Sequence, residues 1–310
     1  MKERQEGLSE QDKIAALKIL ERYGKERWLE RWRSHIALPP KIDVFNDKEK
    51  VLRYMLLRAL INQQARVEKA RELPNKLYEA LGDTILYTPW EIDPHRLFSV
   101  LRGVAGDKGS SLYRVGALGG IKPFSLFLYR MYSFVLYMKS LGDREIYELV
   151  KNFSSPYEIY SYLRDNTFLS AGWVGNDPKA CRMIANWIAF VFEEVWKENV
   201  NFKLKDSLMI VDGHVGKVFS RSGVIEEVRY EKKRPYIIEA AKMRSSIERV
   251  VKAYGFTPFY VDNGAFYLFE DGYCNEMEPR CNECPLTTLC KKHIKWTAYQ
   301  QTKQQRKDTT

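Results

Sequence analysis

The chain has 310 residues, 45% of them hydrophobic, with 50 Lys plus Arg against 40 Asp plus Glu and a formal net charge of +10. That length and apolar content exclude a disordered chain and are enough for one large domain or two lobes with a sizeable core. The basic balance points to a polyanionic partner, with nucleic acid the first choice.

In chain order, the opening residues are charged and contain no apolar run, so no secretory leader is expected. Residues 9–35 carry Ile14, Leu17, Leu20, Trp28 and Trp32 at helical spacing, up to a break at Pro39 and Pro40. A second helix over 47–63 places Val51, Met55, Leu56 and Leu60 on one stripe, and further helices are expected over 66–81 and 93–103. Residues 122–141 form a long apolar helix, read as central core. Its stretch from Phe124 to Met138 is broken by Arg130 and is too short to span a bilayer, so no membrane partner is expected. Two short helices follow over 145–163. Asp177 as N-cap and Pro178 as first helical residue open a helix to about 197, with Ala180, Ile184, Trp187, Ile188, Val191 and Val195 on its apolar face. A short ribbon is possible between Phe202 and Val211. Helices over 213–222, 235–253 and 257–268 precede a cysteine-rich loop, and the polar tail from Lys291 is expected to fray. Such a run of short helices predicts an all-α protein.

Four of the five cysteines, Cys274, Cys281, Cys284 and Cys290, follow the spacing C-x6-C-x2-C-x5-C. Four thiolates this close in sequence can wrap one compact metal centre. An all-thiolate set holds zinc or an iron–sulfur cluster, and zinc modules more often pair two C-x2-C knuckles across a longer loop. A [4Fe-4S] cluster is the favoured cofactor, with zinc and disulfides as the alternatives. Reduced thiols argue for an intracellular protein. Cys181 stands apart among helical residues and is read as a small buried side chain.

The stretch Pro279-Arg280-Cys281-Asn282-Glu283-Cys284-Pro285-Leu286 resembles the cluster loop of the endonuclease III and adenine-mismatch branch of the helix-hairpin-helix DNA glycosylases. Two further stretches carry the resemblance. Ile210-Val211-Asp212-Gly213-His214-Val215-Gly216-Lys217-Val218 is similar to the family's V-D-x-H-V-x-R-V. Leu169-Ser170-Ala171-Gly172-Trp173-Val174-Gly175-Asn176-Asp177-Pro178-Lys179-Ala180 is similar to its L-P-G-V-G-x-K-T-A hairpin, with an extra residue between the glycines and an insertion before the lysine. The resemblance implies two lobes: residues 47–200 as a helical barrel with the hairpin, and residues 1–46 and 201–310 as a second lobe with the cluster loop at 274–290.

The resemblance also implies chemistry. Asp212 would be the carboxylate that stabilises positive charge on the deoxyribose as a base leaves; capping of the next helix is its other reading. His214 is expected to pack rather than to catalyse. Gly172 and Gly175 would let backbone N–H groups approach a phosphate of double-stranded DNA carrying a damaged base. Lys179, just after the hairpin, would be the amine that attacks C1′ and forms a Schiff base, helped by the helix dipole and by partial burial. Gln63 and Gln64 are similar to an I-x-Q-Q stretch whose amide fills the gap left by a flipped nucleotide. Arg280, Lys291 and Lys292 are the phosphate contacts expected on the cluster lobe. The long separation of Lys179 from Asp212 is similar to that in archaeal 8-oxoguanine glycosylases, which typically lack the cluster loop. The implied activity is a base-excision repair glycosylase with associated lyase activity, acting as a monomer. A monofunctional glycosylase for alkylated or deaminated adenine, or a non-enzymatic DNA-binding protein of the same fold, are the competing readings.

Overall fold

A computed structural model of the protein describes residues 7–63, 67–105, 123–225, 240–275 and 278–292. Gln64, Tyr113 and the tail beyond Lys292 lie outside the described residues. Among those described, helices are joined by turns and there is no strand, so the protein is all-α. The ribbon anticipated between Phe202 and Val211 is instead a 3-10 turn, Leu204–Asp206, followed by irregular chain up to Asp212.

The chain divides into two compact units. One joins Met1–Glu30 to Met209–Thr310, and the other is Arg31–Leu208. These boundaries differ from the expected 46/47 and 200/201, for physical reasons. Helix α1 (Glu10–Ile36) ends before residue 46. The residues after it are tied to the middle unit by Tyr54, which donates to the Ala37 carbonyl at 2.6 Å, and by Trp196, whose indole N–H donates to Val44 at 2.7 Å. At the other end the buried Asn186 amide accepts from Leu208 N–H at 2.9 Å and donates to its carbonyl at 2.7 Å.

In the middle unit, helix α2 (Lys48–Asn62) is buried around its whole circumference from Val51 to Ile61, not along one stripe. It packs against α3 (Val67–Leu81), α4 (Thr84–Tyr87), α6 (Pro123–Leu141), α7 (Ile146–Lys151) and α10 (Lys179–Phe190). Thus α2 occupies the centre expected for α6, which leaves Tyr129 and Tyr132 exposed. Between α4 and α6 lies α5 (Pro94–Ala105), and between α7 and α10 lie α8 (Pro156–Asp165) and α9 (Thr167–Ser170). Ser155 caps α8 by accepting from Glu158 N–H, and Asn166 caps the single turn of α9. Helix α10 ends at Phe190 and gives way to a π-turn, Val191–Val195, so the helix expected to run to 197 changes pitch where Phe192 and Trp196 pack edge to face. An apolar void of about 10 Å³ lies between Leu52, Leu56, Tyr137, Ile184 and Ile188, too small for a substrate.

In the terminal unit, α11 (Gly213–Ser222), α12 (Ala240–Ala253) and α13 (Pro258–Glu270) pack on one another and on the first turns of α1. Two glycines set one of these contacts. A Cβ on Gly24 of α1 would overlap the Tyr260 carbonyl, and a Cβ on Gly264 of α13 would overlap the Leu20 carbonyl. The two backbones therefore touch directly, an approach that only glycine allows. Around this contact Leu17, Leu20, Val218, Phe219, Ile247, Val261 and Leu268 form the core.

Candidate functional site

Each unit carries part of the expected machinery. In the middle unit the hairpin joins α9 to α10. Gly172 is buried, and a Cβ there would meet Leu60 at 2.9 Å and Ser133 at 3.1 Å; its N–H already donates to Leu169. Gly172 is thus a packing glycine, not a phosphate donor. Gly175 fits the expected role better. It is exposed, has φ +79° with open space where a side chain would be, and neither it nor Asn176 spends its backbone N–H within the described residues. The left-handed region is one that glycine occupies freely.

Gln63 is placed differently from the expectation. It is buried, and its amide clamps the hairpin: Nε2 donates to the Leu60 and Gly172 carbonyls at 2.9 and 2.8 Å, while Oε1 accepts from Val174 N–H at 2.8 Å. All three bonds would break if this amide were to enter DNA, so Gln63 holds the turn in position instead. Trp173 is also buried, and its indole N–H donates to the Leu163 carbonyl.

Lys179, not Pro178, is the first residue of α10, and it is exposed where partial burial was expected. Pro178 occupies the N-cap position. Asp177 lies one residue before it, and its carboxylate accepts from Arg182 at 2.8 and 3.2 Å and from the Tyr160 hydroxyl at 2.7 Å. Cys181 is fully buried, and burial pushes its thiol well above the ordinary range.

In the terminal unit Asp212 is the N-cap of α11, its Oδ1 accepting from His214 and Val215 N–H at 2.9 and 3.0 Å. Its approach is fixed by a residue that the sequence analysis missed. Asp262, buried inside the apolar α13, accepts from Ile210 N–H at 2.9 Å. An acid in an otherwise apolar helix was the available signal. His214 stacks on Phe269 with centroids 3.8 Å apart, and Lys217 is buried with its ammonium 5.2 Å from the same ring.

The four cysteines of the loop after α13 are free thiols, each half-buried. Cys274, Cys284 and Cys290 pack against the core that includes Leu286 and Leu268. Burial raises the thiols of Cys274 and Cys290 and pushes that of Cys284 up to about 11, and every pairing of the four interacts electrostatically. N–H groups surround the sulfurs. Arg221, buried at the end of α11, donates to the Cys274 sulfur at 3.5 Å and to its carbonyl at 2.7 Å, and Lys292 N–H points to the Cys290 sulfur at 3.4 Å. Among the described residues no three ligating side chains are drawn closely enough together for a single metal ion. The donor set is nonetheless chemically suited to an all-thiolate centre: four soft donors in one loop, a low-dielectric wall and N–H groups facing sulfur.

Arg280 was expected at a phosphate. Its guanidinium instead braces the loop, donating to the Asp271 carbonyl and to Glu283 at 3.1 Å and lying over Tyr273, though half of the side chain stays exposed. Lys291 and Lys292 are exposed; the backbone N–H of Lys291 ties the loop back to Ser222 at 3.0 Å. No helix among the described residues is long and apolar enough to cross a membrane. No protein-family model matches the chain, and no curated protein matches it in sequence.

Proposed function

We propose that this protein is a DNA glycosylase of the helix-hairpin-helix kind that flips and excises a damaged base and then nicks the strand. The observation that carries the reading is the turn at Gly175 and Asn176: exposed, left-handed at the glycine, with unspent N–H groups just upstream of Pro178 and Lys179, which open α10. Such a turn suits a DNA phosphate. Asp212 supplies the second element, a carboxylate held rigid by its own helix and by Asp262.

In the proposed reaction the Lys179 amine attacks C1′ of the flipped nucleotide while the bond from C1′ to the base nitrogen breaks. The departing base carries the electron pair away and takes up a proton. The Asp212 carboxylate stabilises the positive charge that builds on the sugar, and the proton lost by the amine passes to water. The sugar ring then opens, its oxygen taking up a proton, to give an imine on Lys179; loss of a C2′ proton forms the C2′–C3′ double bond and expels the 3′ phosphate with the electron pair of the C3′–oxygen bond. Cys274, Cys281, Cys284 and Cys290 would hold a [4Fe-4S] cluster, whose contribution is to stiffen the loop that presents Lys291 and Lys292 to DNA.

A panel of lesion duplexes, with and without borohydride, tests this reading. Wild type should be trapped covalently on at least one lesion, and Lys179→Gln should abolish trapping. Asp212→Asn should slow base release by orders of magnitude with DNA affinity unchanged, because the carboxylate acts on the transition state. Base release without trapping in wild type, lost in Asp212→Asn, would instead assign a monofunctional enzyme that uses water. Indifference of every lesion to both substitutions would leave a DNA-binding protein.

A further inference from the structure

Helix α2 buries two arginines that are treated very differently. Arg53 is saturated: it pairs with Glu49, donates to the Leu86 and Arg144 carbonyls at 3.2 and 3.3 Å, and lies over Tyr87. Five residues on, Arg58 is 3% exposed and makes one hydrogen bond, from Nη2 to the His35 carbonyl at 3.1 Å. Its Nε and Nη1 are buried and find no partner among the described residues. The Nε of Arg71, on the neighbouring helix α3, is buried and unpartnered as well.

The charge is as unbalanced as the hydrogen bonding. Burial first, and then Arg71, push the Arg58 guanidinium down to about 10, against the opposing pull of Tyr54; no carboxylate among the described residues acts on it. The Trp187 ring, 5.5 Å from its central carbon, covers one face and carries no full charge. Two cations that repel each other, with buried and unmet donors, destabilise a fold unless something else meets them.

We propose that Arg58 and Arg71 form a binding site, between α2 and α3, for a small oxyanion of the phosphate class. Charge selects the class: a phosphate carries about −1.5 to −2 near neutral pH and offsets both arginines, whereas a carboxylate would offset one. Geometry agrees, because guanidinium N–H groups match phosphate oxygens and the three unmet donors lie on two different residues. Depth selects size. With Arg58 almost without exposure, the ligand is inorganic phosphate or a terminal phosphomonoester, not a phosphodiester inside a polymer. The site lies wholly within the middle unit and does not depend on the base-excision reading.

The test is thermal unfolding of the full-length protein in inorganic phosphate against chloride at matched ionic strength, with equilibrium dialysis against labelled phosphate and a deoxynucleoside 5′-monophosphate as competitor. Wild type should melt several degrees higher in phosphate, saturably, and bind one phosphate per chain. Displacement by the monophosphate would assign the phosphomonoester source; no displacement would assign free phosphate. Arg71→Gln should lose both the shift and the bound phosphate. Arg58→Met should lose them too, while melting in chloride no lower than wild type, since it removes an uncompensated buried charge. If wild type shows no saturable shift, or if the shift survives Arg71→Gln, the proposal is overturned. Arg71→Gln decides the matter even where Arg58→Met fails to fold.

Discussion

At the scale of single residues, Asp212 does two jobs that can be separated. As an N-cap it contributes about 1 kcal/mol to α11, and Asn caps as well as Asp does. Asp212→Ala should therefore lower the unfolding free energy by that amount in urea titrations, whereas Asp212→Asn should leave it unchanged and alter only the chemistry. Equal destabilisation by both would show that the charge itself holds the helix. The cysteines make a second residue-scale prediction. Protein purified without oxygen should contain about four irons per chain. Cys281→Ser or Cys284→Ser should lose them, and Cys181→Ser, in the middle unit, should not. Arg221→Met keeps all four thiols but removes the N–H facing Cys274, so iron should leave faster to a chelator. Stoichiometric zinc with no iron would count against the cluster.

At the scale of elements, the direct contact of α1 with α13 makes Gly264 the most sensitive position of its helix. Gly264→Ala should cost about 1–3 kcal/mol or more, because a backbone must move to admit one methyl group. An unchanged denaturation midpoint would refute the close packing. The helices themselves were legible because a 3.6-residue period survives in α10, whose buried face matches the apolar positions, whereas α11 also buries Lys217, Ser220 and Arg221. The cap at Asp212 and the isolation of Cys181 were legible for equally local reasons. What was not legible depended on distant partners. Gly24 and Gly264 stand out inside helical stretches, but nothing in either stretch names the other. The burial of α2 on all sides was hidden because Arg53 and Arg58 interrupt its apolar pattern. Gln63 reads as a polar helix end, and only the returning hairpin shows that its amide is spent on Gly172 and Val174.

At the scale of the whole molecule, the net charge of +10 makes a prediction that needs no site. Affinity for undamaged duplex should fall steeply and linearly in a plot of log affinity against log salt, as counterions are released from each contacted phosphate. A flat plot would remove DNA as the partner. Lys291→Ala or Lys292→Ala should reduce the slope by about one each where that lysine meets a phosphate.

The terminal unit is built from two segments separated by the whole of the other unit. Tyr23, whose hydroxyl donates to Asp271 at 2.5 Å, lies 248 positions before its partner. On a ribosome adding roughly 5–20 residues per second, the first helix waits on the order of ten to fifty seconds before that partner is made. The middle unit, continuous in sequence, can complete itself during that interval. Until then Leu17 and Leu20 have none of the α13 surface they finally cover, and they are where a nascent chain would engage a chaperone.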